Sequence, residues 1–124
     1  MISYVMTIEP VVLYQGTTVK EALSSFESTN LRVLPIIDEV GHVVGVVNLE
    51  DLGYIDVRKR SMTLSETVTR CPVVIREDIS LGDAAQLMME KQQDHIYVVN
   101  SEGQLLGVIS AIDIVKKIIE ILSE

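Results

Sequence analysis

The sequence predicts a mixed α/β (α+β) fold made from two copies of one β-α-β-β-α unit. Three observations carry that expectation. The chain matches itself at a constant offset of 62 residues, which pairs Thr7 with Thr69, Pro10 with Pro72, Ala22 with Ala84, Gly41 with Gly103, Gly45 with Gly107 and Asp51 with Asp113. Over the fifty pairs from Ser3/Ser65 to Leu52/Ile114 there are ten identities, against roughly three or four for unrelated sequence of this composition. Within each copy the apolar residues alternate between helical spacing and short β-branched runs. Each run is closed by a turn or a helix cap, as at Asp38-Glu39-Val40-Gly41 and Asn100-Ser101-Glu102-Gly103.

In the first copy, Pro10 to Leu13 reads as a brief strand with Pro at its first residue, where a missing donor is tolerated. Thr18-Val19-Lys20-Glu21 then opens a helix as a capping box, the Thr hydroxyl taking the amide of Glu21 while the carboxylate reaches back. Val19, Ala22, Leu23 and Phe26 follow at i, i+3, i+4 and i+7 as one buried stripe. Val33 to Ile37 is continuous, apolar and too short for a helix, so it reads as a buried strand. Gly41 supplies the positive φ that a tight hairpin needs, and Val43 to Val47 returns antiparallel. Asn48 is the expected N-cap of a second helix running to about Ile55. The second copy repeats this order: strand Val73 to Ile75, cap Ser80 with Asp83, helix stripe Leu81, Ala84, Ala85 and Met88, strand Ile96 to Val99, strand Leu105 to Ile109, and a last helix from Ala111. The repeats are expected at residues 1–56 and 65–124, with 57–64 as a linker.

Strand, crossover helix and strand should form a right-handed parallel pair, to which the hairpin adds an antiparallel neighbour. A sheet covered on one face leaves the other wet, so the two copies are expected to pack sheet to sheet with pseudo-two-fold symmetry and two equivalent clefts. The last helix carries two apolar stripes, Ile112, Val115, Ile119 and Leu122 beside Ile114, Ile118 and Ile121. One stripe suffices to cover a sheet. The second, read as Ile114, Ile118 and Ile121, should meet a partner, most simply the same helix of a second chain.

Composition narrows the function classes. Of the 124 residues, 48% are hydrophobic and 23% charged, an ordinary globular balance. No apolar run approaches the roughly 20 residues of a membrane span, and Met1-Ile2-Ser3-Tyr4 lacks a basic, cleavable leader, so a cytoplasmic location is expected. A single cysteine, Cys71, and two histidines assemble no zinc site. The net charge of −8 argues against nucleic acid, and the one basic run, Arg58-Lys59-Arg60, reads as solvated linker. No nucleophile with its base, metal cluster or catalytic carboxylate pair is assembled, so an enzyme is not expected.

The polar signal lies at the strand-to-helix junctions: Gly107-Val108-Ile109-Ser110-Ala111-Ile112-Asp113 and its echo Gly45-Val46-Val47-Asn48-Leu49-Glu50-Asp51. With the strand end Leu34-Pro35-Ile36-Ile37-Asp38 and the tandem itself, these residues resemble a pair of cystathionine β-synthase (CBS) domains, a Bateman module. The resemblance covers nearly the whole chain. It implies a non-catalytic regulatory module that binds AMP, ADP, ATP or S-adenosylmethionine between its repeats, has no covalent cofactor, dimerises through helices and serves a separate enzyme or transporter. Asp113 would accept the ribose hydroxyls, while Ser110 and the free amides of the helix suit a phosphate oxygen. Ser-x-x-Asp is also a plain capping arrangement, and the two roles are compatible. The resemblance turns Asp113 toward Met6, Thr7, Glu9 and Val11 and toward Leu31 and Arg32. It turns Asp51 toward the segment from Val68 through Thr69, Arg70, Cys71 and Val73. Arg32 and His95 are the candidates for phosphate contact, although His95 reads more readily as a solvent-facing or structural histidine. Asn48 departs from the family's Ser or Thr, which ranks the Asp51 cleft second. The alternative is a structural or dimerisation module without nucleotide affinity, which Asn48 and the sparse basic residues would suit.

Overall fold

The computed structural model describes residues 2–67 and 69–123, the side chain of Ser3 apart. Met1 and Glu124, the outer ends of the expected repeats, and Val68, expected near Asp51, lie outside the described residues. In chain order the elements are β1 (Thr7–Ile8), β2 (Leu13–Tyr14), α1 (Val19–Thr29), β3 (Val33–Ile37), β4 (Val43–Asn48), α2 (Leu49–Gly53), β5 (Val74–Arg76), α3 (Leu81–Lys91), β6 (His95–Val99), β7 (Leu105–Ser110) and α4 (Ala111–Leu122). Two sheets, β2-β3-β4 and β1-β7-β6-β5, together with these helices give the expected mixed α/β class. The chain divides into two compact units, residues 11–72 and residues 1–10 with 73–124.

In the 11–72 unit, Thr18 caps α1 through the full capping box, and Asn30 ends the helix in the left-handed region at φ 58°. The buried face is Val19, Ala22 and Phe26, with Leu23 packed beside them. β2 runs parallel to β3, and β3 pairs antiparallel with β4 through the hairpin at Gly41, where φ is 99°. The first strand lies at Leu13–Tyr14 instead of 10–13, and α2 stops at Gly53, short of Ile55, because glycine is a poor helix residue. Residues 57–64, expected as a linker, fold onto α1. The Val19 and Lys20 amides donate to the carbonyls of Met62 and Arg60, both at 2.9 Å, and Leu64 is fully buried in the core with Phe26, Leu34 and Leu52.

The other unit is built alike. Ser80 caps α3, Gln92 ends it at φ 53°, and Ala84 and Met88 face the core. β5 is parallel to β6, and β6 pairs antiparallel with β7 through Gly103 at φ 81°. The core comprises Ile75, Ala84, Met88, Ile96, Val98, Ile109, Ile114 and, from the far end of the chain, Ile2. Ile2 and Leu64 stand one repeat offset apart, each in a short 3-10 turn. Each completes the core of the repeat it does not precede most closely in sequence. The same exchange brings β1 onto the free edge of β7, with Thr7 opposite Val108 and Ile8 opposite Gly107. Two-residue β1 was not expected from the sequence.

Only one residue of the two α4 stripes is buried, and it departs from its expected role. Ile114 is buried against the core, whereas Ile118 and Ile121 of its stripe are exposed, as are Ile112, Val115, Ile119 and Leu122 of the other. The reason is register: the helix starts directly at Ser110, and the residue that the first turn carries inward from there is Ile114, not Val115.

Backbone approach at the two equivalent glycines differs. A Cβ at Gly107 would come within 2.6 Å of the Thr7 carbonyl oxygen and 2.9 Å of Met6 Sδ, whereas at Gly45 the nearest atom would be Thr69 Oγ1 at 3.5 Å. The first contact is with backbone and leaves little room to relax. Gly107→Ala is therefore expected to destabilise the protein by about 1–3 kcal/mol, and Gly45→Ala to stay within about 0.5 kcal/mol of wild type. Urea denaturation of both variants checks the difference, and equal midpoints would refute it.

Candidate functional site

The strand-to-helix junction of the second repeat is a closed capping box. Ser110 ends β7 and caps α4: its Oγ accepts from the Asp113 amide at 3.1 Å, and Asp113 Oδ2 accepts from the Ser110 amide at 2.9 Å. Asp113 Oδ1 accepts no hydrogen bond among the described residues. His95 lies opposite Ser110 in the β6–β7 register. The Ala111 amide donates to the Asp94 carbonyl at 2.8 Å, which fixes the start of α4 against β6. Met6 and Thr7 lie over Gly107 on the other side of β7. One strand end thus gathers a carboxylate with a free oxygen, a hydroxyl, an imidazole and the N-terminus of a twelve-residue helix. Together these suit a ligand with hydroxyl donors and an anionic group.

Not every candidate is free for such a role. His95 Nδ1 is 2.9 Å from Asp94 Oδ1, so its ring already has a carboxylate partner. Glu9 is exposed at the end of β1 with φ 51°, a left-handed conformation uncommon outside glycine. The Val73 carbonyl accepts the Tyr97 amide at 2.9 Å, which makes its backbone part of the sheet.

The remaining candidates, Val11, Leu31, Arg32, Asn48, Asp51, Thr69 and Cys71, belong to the 11–72 unit. Asn48 holds the N-cap position of α2, but its side chain makes no cap hydrogen bond, against the expectation that it would cap. The helix it precedes has five residues, so little macrodipole or regular backbone is there to be capped. The Leu49 amide donates to the Arg32 carbonyl at 2.9 Å, the counterpart of the Ala111–Asp94 contact. Leu31 and Arg32, with Leu23, Phe26, Glu27, Asn30 and Leu49, line an open groove of about 300 Å³. Val11, Thr69 and Cys71 are exposed, and the Cys71 thiol is free.

Asp51 differs most from its counterpart. Arg70 Nε donates to Asp51 Oδ2 at 3.0 Å and Arg70 Nη2 to Asp51 Oδ1 at 3.2 Å, a bidentate fork on both oxygens. The hydrogen bond and charge of Asp51 raise the pKa of Arg70 above its already high value. The sequence analysis puts Arg70 in the segment turned toward Asp51 but does not single it out as a site residue. A signal for more is present, because Arg70 is the cation in the very segment expected to face Asp51.

Register explains how Arg70 reaches that place. Val46 and Arg70 form an antiparallel bridge with two 2.9 Å backbone hydrogen bonds. In the other unit Val108, the counterpart of Val46, lies opposite Thr7. By the repeat offset Thr7 corresponds to Thr69, but by register it corresponds to Arg70. The segment is slipped by one residue, and a one-residue slip exchanges the faces of every side chain.

The chain is similar to known proteins over nearly its whole length. The CBS domain family model matches residues 2–52 and 64–120. Inosine-5'-monophosphate dehydrogenase of Aquifex aeolicus is 30% identical over 113 residues, which are 90% of this chain and 23% of that protein. The magnesium transporter MgtE of Thermus thermophilus is 30% identical over 114 residues, 88% of this chain and 25% of that protein. The chain thus spans about a quarter of the length of these relatives. Among solved structures, CBSX2 in complex with AMP superposes with a TM-score of 0.83 at 27% identity, covering 95% of each chain. No group of three or more potential metal ligands and no helix long and apolar enough to cross a membrane occurs among the described residues.

The two junctions should respond differently to loss of the cap side chain. Ser110→Ala removes a formed cap bond and is expected to cost about 1 kcal/mol, whereas Asn48→Ala removes none and should cost less than about 0.5 kcal/mol. Equal losses by urea denaturation would contradict this ranking.

Proposed function

Because the chain belongs to the CBS domain family, we propose that it is a non-catalytic regulatory module that binds an adenosine-containing ligand at Asp113 and passes its binding state to a partner enzyme or transporter. The observation that carries this reading is the head of α4. Asp113 holds the helix start with one oxygen and keeps the other unbonded, so capping and ribose recognition do not compete. The Ala111 and Asp113 amides already donate, to the Asp94 carbonyl and to Ser110 Oγ, so the Ser110 hydroxyl proton and the Ile112 amide are the groups for a phosphate oxygen. The AMP complex of CBSX2, at 27% identity, supports an adenine nucleotide as the ligand class. The chain's net charge of −8 favours ligands of lower charge, AMP or S-adenosylmethionine, over ATP. Inosine-5'-monophosphate dehydrogenase and MgtE, which the chain matches over about a quarter of their length, support an enzyme or a transporter as the regulated partner.

Calorimetric titration tests the ligand. Asp113→Asn keeps an acceptor for the Ser110 amide but loses the charge, so the fold should persist while AMP binding weakens. Replacing AMP by 2'-deoxy-AMP should cost about 1–3 kcal/mol on wild type, because the carboxylate then faces a missing hydroxyl. Equal affinity of wild type and Asp113→Asn for AMP would sink the assignment.

The partner of the outer stripe of α4 is, on this reading, the same helix of a second chain. Ile112, Val115, Ile119 and Leu122 are 60%, 47%, 58% and 78% exposed along one side of the helix, and Ile118 and Ile121 beside them are 46% and 54% exposed. Burying a side chain of this size fully is worth about 1.5–3 kcal/mol, and a self-complementary stripe is the simplest two-fold contact. Sedimentation equilibrium should find a dimer at micromolar concentration and a folded monomer for the Ile119→Glu, Leu122→Glu double variant. A monomeric wild type would overturn the dimer.

A further inference from the structure

We propose that Arg70 is the residue that decides whether the first-repeat carboxylate, Asp51, is available to a ligand. This rests on the adenosine-binding reading above and concerns the site that reading leaves in second place. The Arg70 fork donates Nε–H and Nη2–H to the two oxygens of Asp51. A vicinal diol would present its two hydroxyl protons to the same pair of oxygens, so guanidinium and ribose compete for one set of lone pairs. Asp113 meets no cation among the described residues, which leaves the equivalent carboxylate of the other repeat open.

The clamp is held by the backbone and does not depend on a chance rotamer alone. Arg70 is pinned opposite Val46 by two 2.9 Å hydrogen bonds, and Asp51 is fixed on the first turn of α2 by the Leu49–Arg32 contact. The one-residue slip of register puts an arginine where the other unit has Thr7, whose side chain is too short to make such a fork. The Asp51 side chain is 21% exposed and that of Arg70 is 59% exposed. The pair is therefore strong enough to bias the site and weak enough to be displaced. Asp51 becomes a conditional site, filled only at a ligand concentration that outcompetes the chain's own guanidinium.

The opposite role is chemically possible for the same side chain. If Arg70 turned from Asp51 to a ligand's phosphate, it would be a binding residue, and its loss would weaken AMP binding. Adenosine, which lacks the phosphate, separates the two.

The test is calorimetric titration of adenosine and of AMP into wild type, Arg70→Thr and the double variant Asp51→Asn, Arg70→Thr, with thermal melts confirming that each folds. Arg70→Thr installs the residue found at that register in the other unit. The clamp predicts that Arg70→Thr gains affinity about fivefold at one site for adenosine and AMP alike, and that the added Asp51→Asn abolishes the gain. Binding by wild type with no gain in Arg70→Thr overturns the clamp and leaves the Asp113 reading intact. Weaker AMP binding by Arg70→Thr overturns it in favour of a phosphate contact. Binding that appears only in Arg70→Thr supports the clamp while overturning the Asp113 reading, and no binding by any of the three proteins overturns both.

Discussion

Neither hydrophobic core is complete without a residue delivered from outside the repeat that builds the rest of it. Leu64 closes the core that contains Val19, Phe26 and Leu52, and Ile2 closes the one that contains Ile75, Met88 and Ile114. Full burial of such a side chain is worth about 1.5–3 kcal/mol, a large share of the net stability of a small domain. The delivery also sets the course of the chain beyond each plug. Past Ile2 the segment reaches the edge of β7 at Thr7, and past Leu64 it reaches Val46 one residue later, at Arg70. Which side chain stands beside each helix head is thus a consequence of how the cores are sealed.

From one backbone plan the two heads have acquired different chemistry. Both place a helix start against the carbonyl that precedes the second strand, through Leu49–Arg32 and Ala111–Asp94. At Ser110 a small hydroxyl completes a reciprocal cap on a twelve-residue helix. At Asn48 the side chain leaves the five-residue α2 uncapped, and the carboxylate three residues on turns to a cation instead. A duplicated unit keeps its apolar core under common packing constraints, while a single slipped residue is enough to change what its polar edge can do.

Much of this was legible in the sequence because the signals were local. Val33–Ile37 was placed to the residue by its unbroken apolar run, and the caps at Thr18, Ser80 and Ser110 lie where short polar side chains precede helical periodicity. The features that escaped were decided by tertiary structure. Strand β1 has two residues and exists only because β7 offers an edge some hundred positions away. The helical period shows that α4 has two apolar stripes, but the start of the helix at Ser110 decides that Ile114 alone of them is buried. Arg70 was visible as a cation in the right segment, yet its meeting with Asp51 depends on a register that gapless repetition conceals. The Ser110–Asp113 capping box was legible because its motif is contiguous.

The exchanged segments also impose an order on synthesis. The 11–72 unit draws on one unbroken stretch of chain, so all of its core emerges before β5 does. Ile2 and β1 leave the ribosome ahead of that unit, but their seats are β7 and α4, made about a hundred residues later. At ordinary elongation rates of about 5–20 residues per second the first strand waits for several seconds with an apolar residue uncovered. A segment made before the 11–72 unit is therefore buried after it, and must stay uncovered while that unit folds.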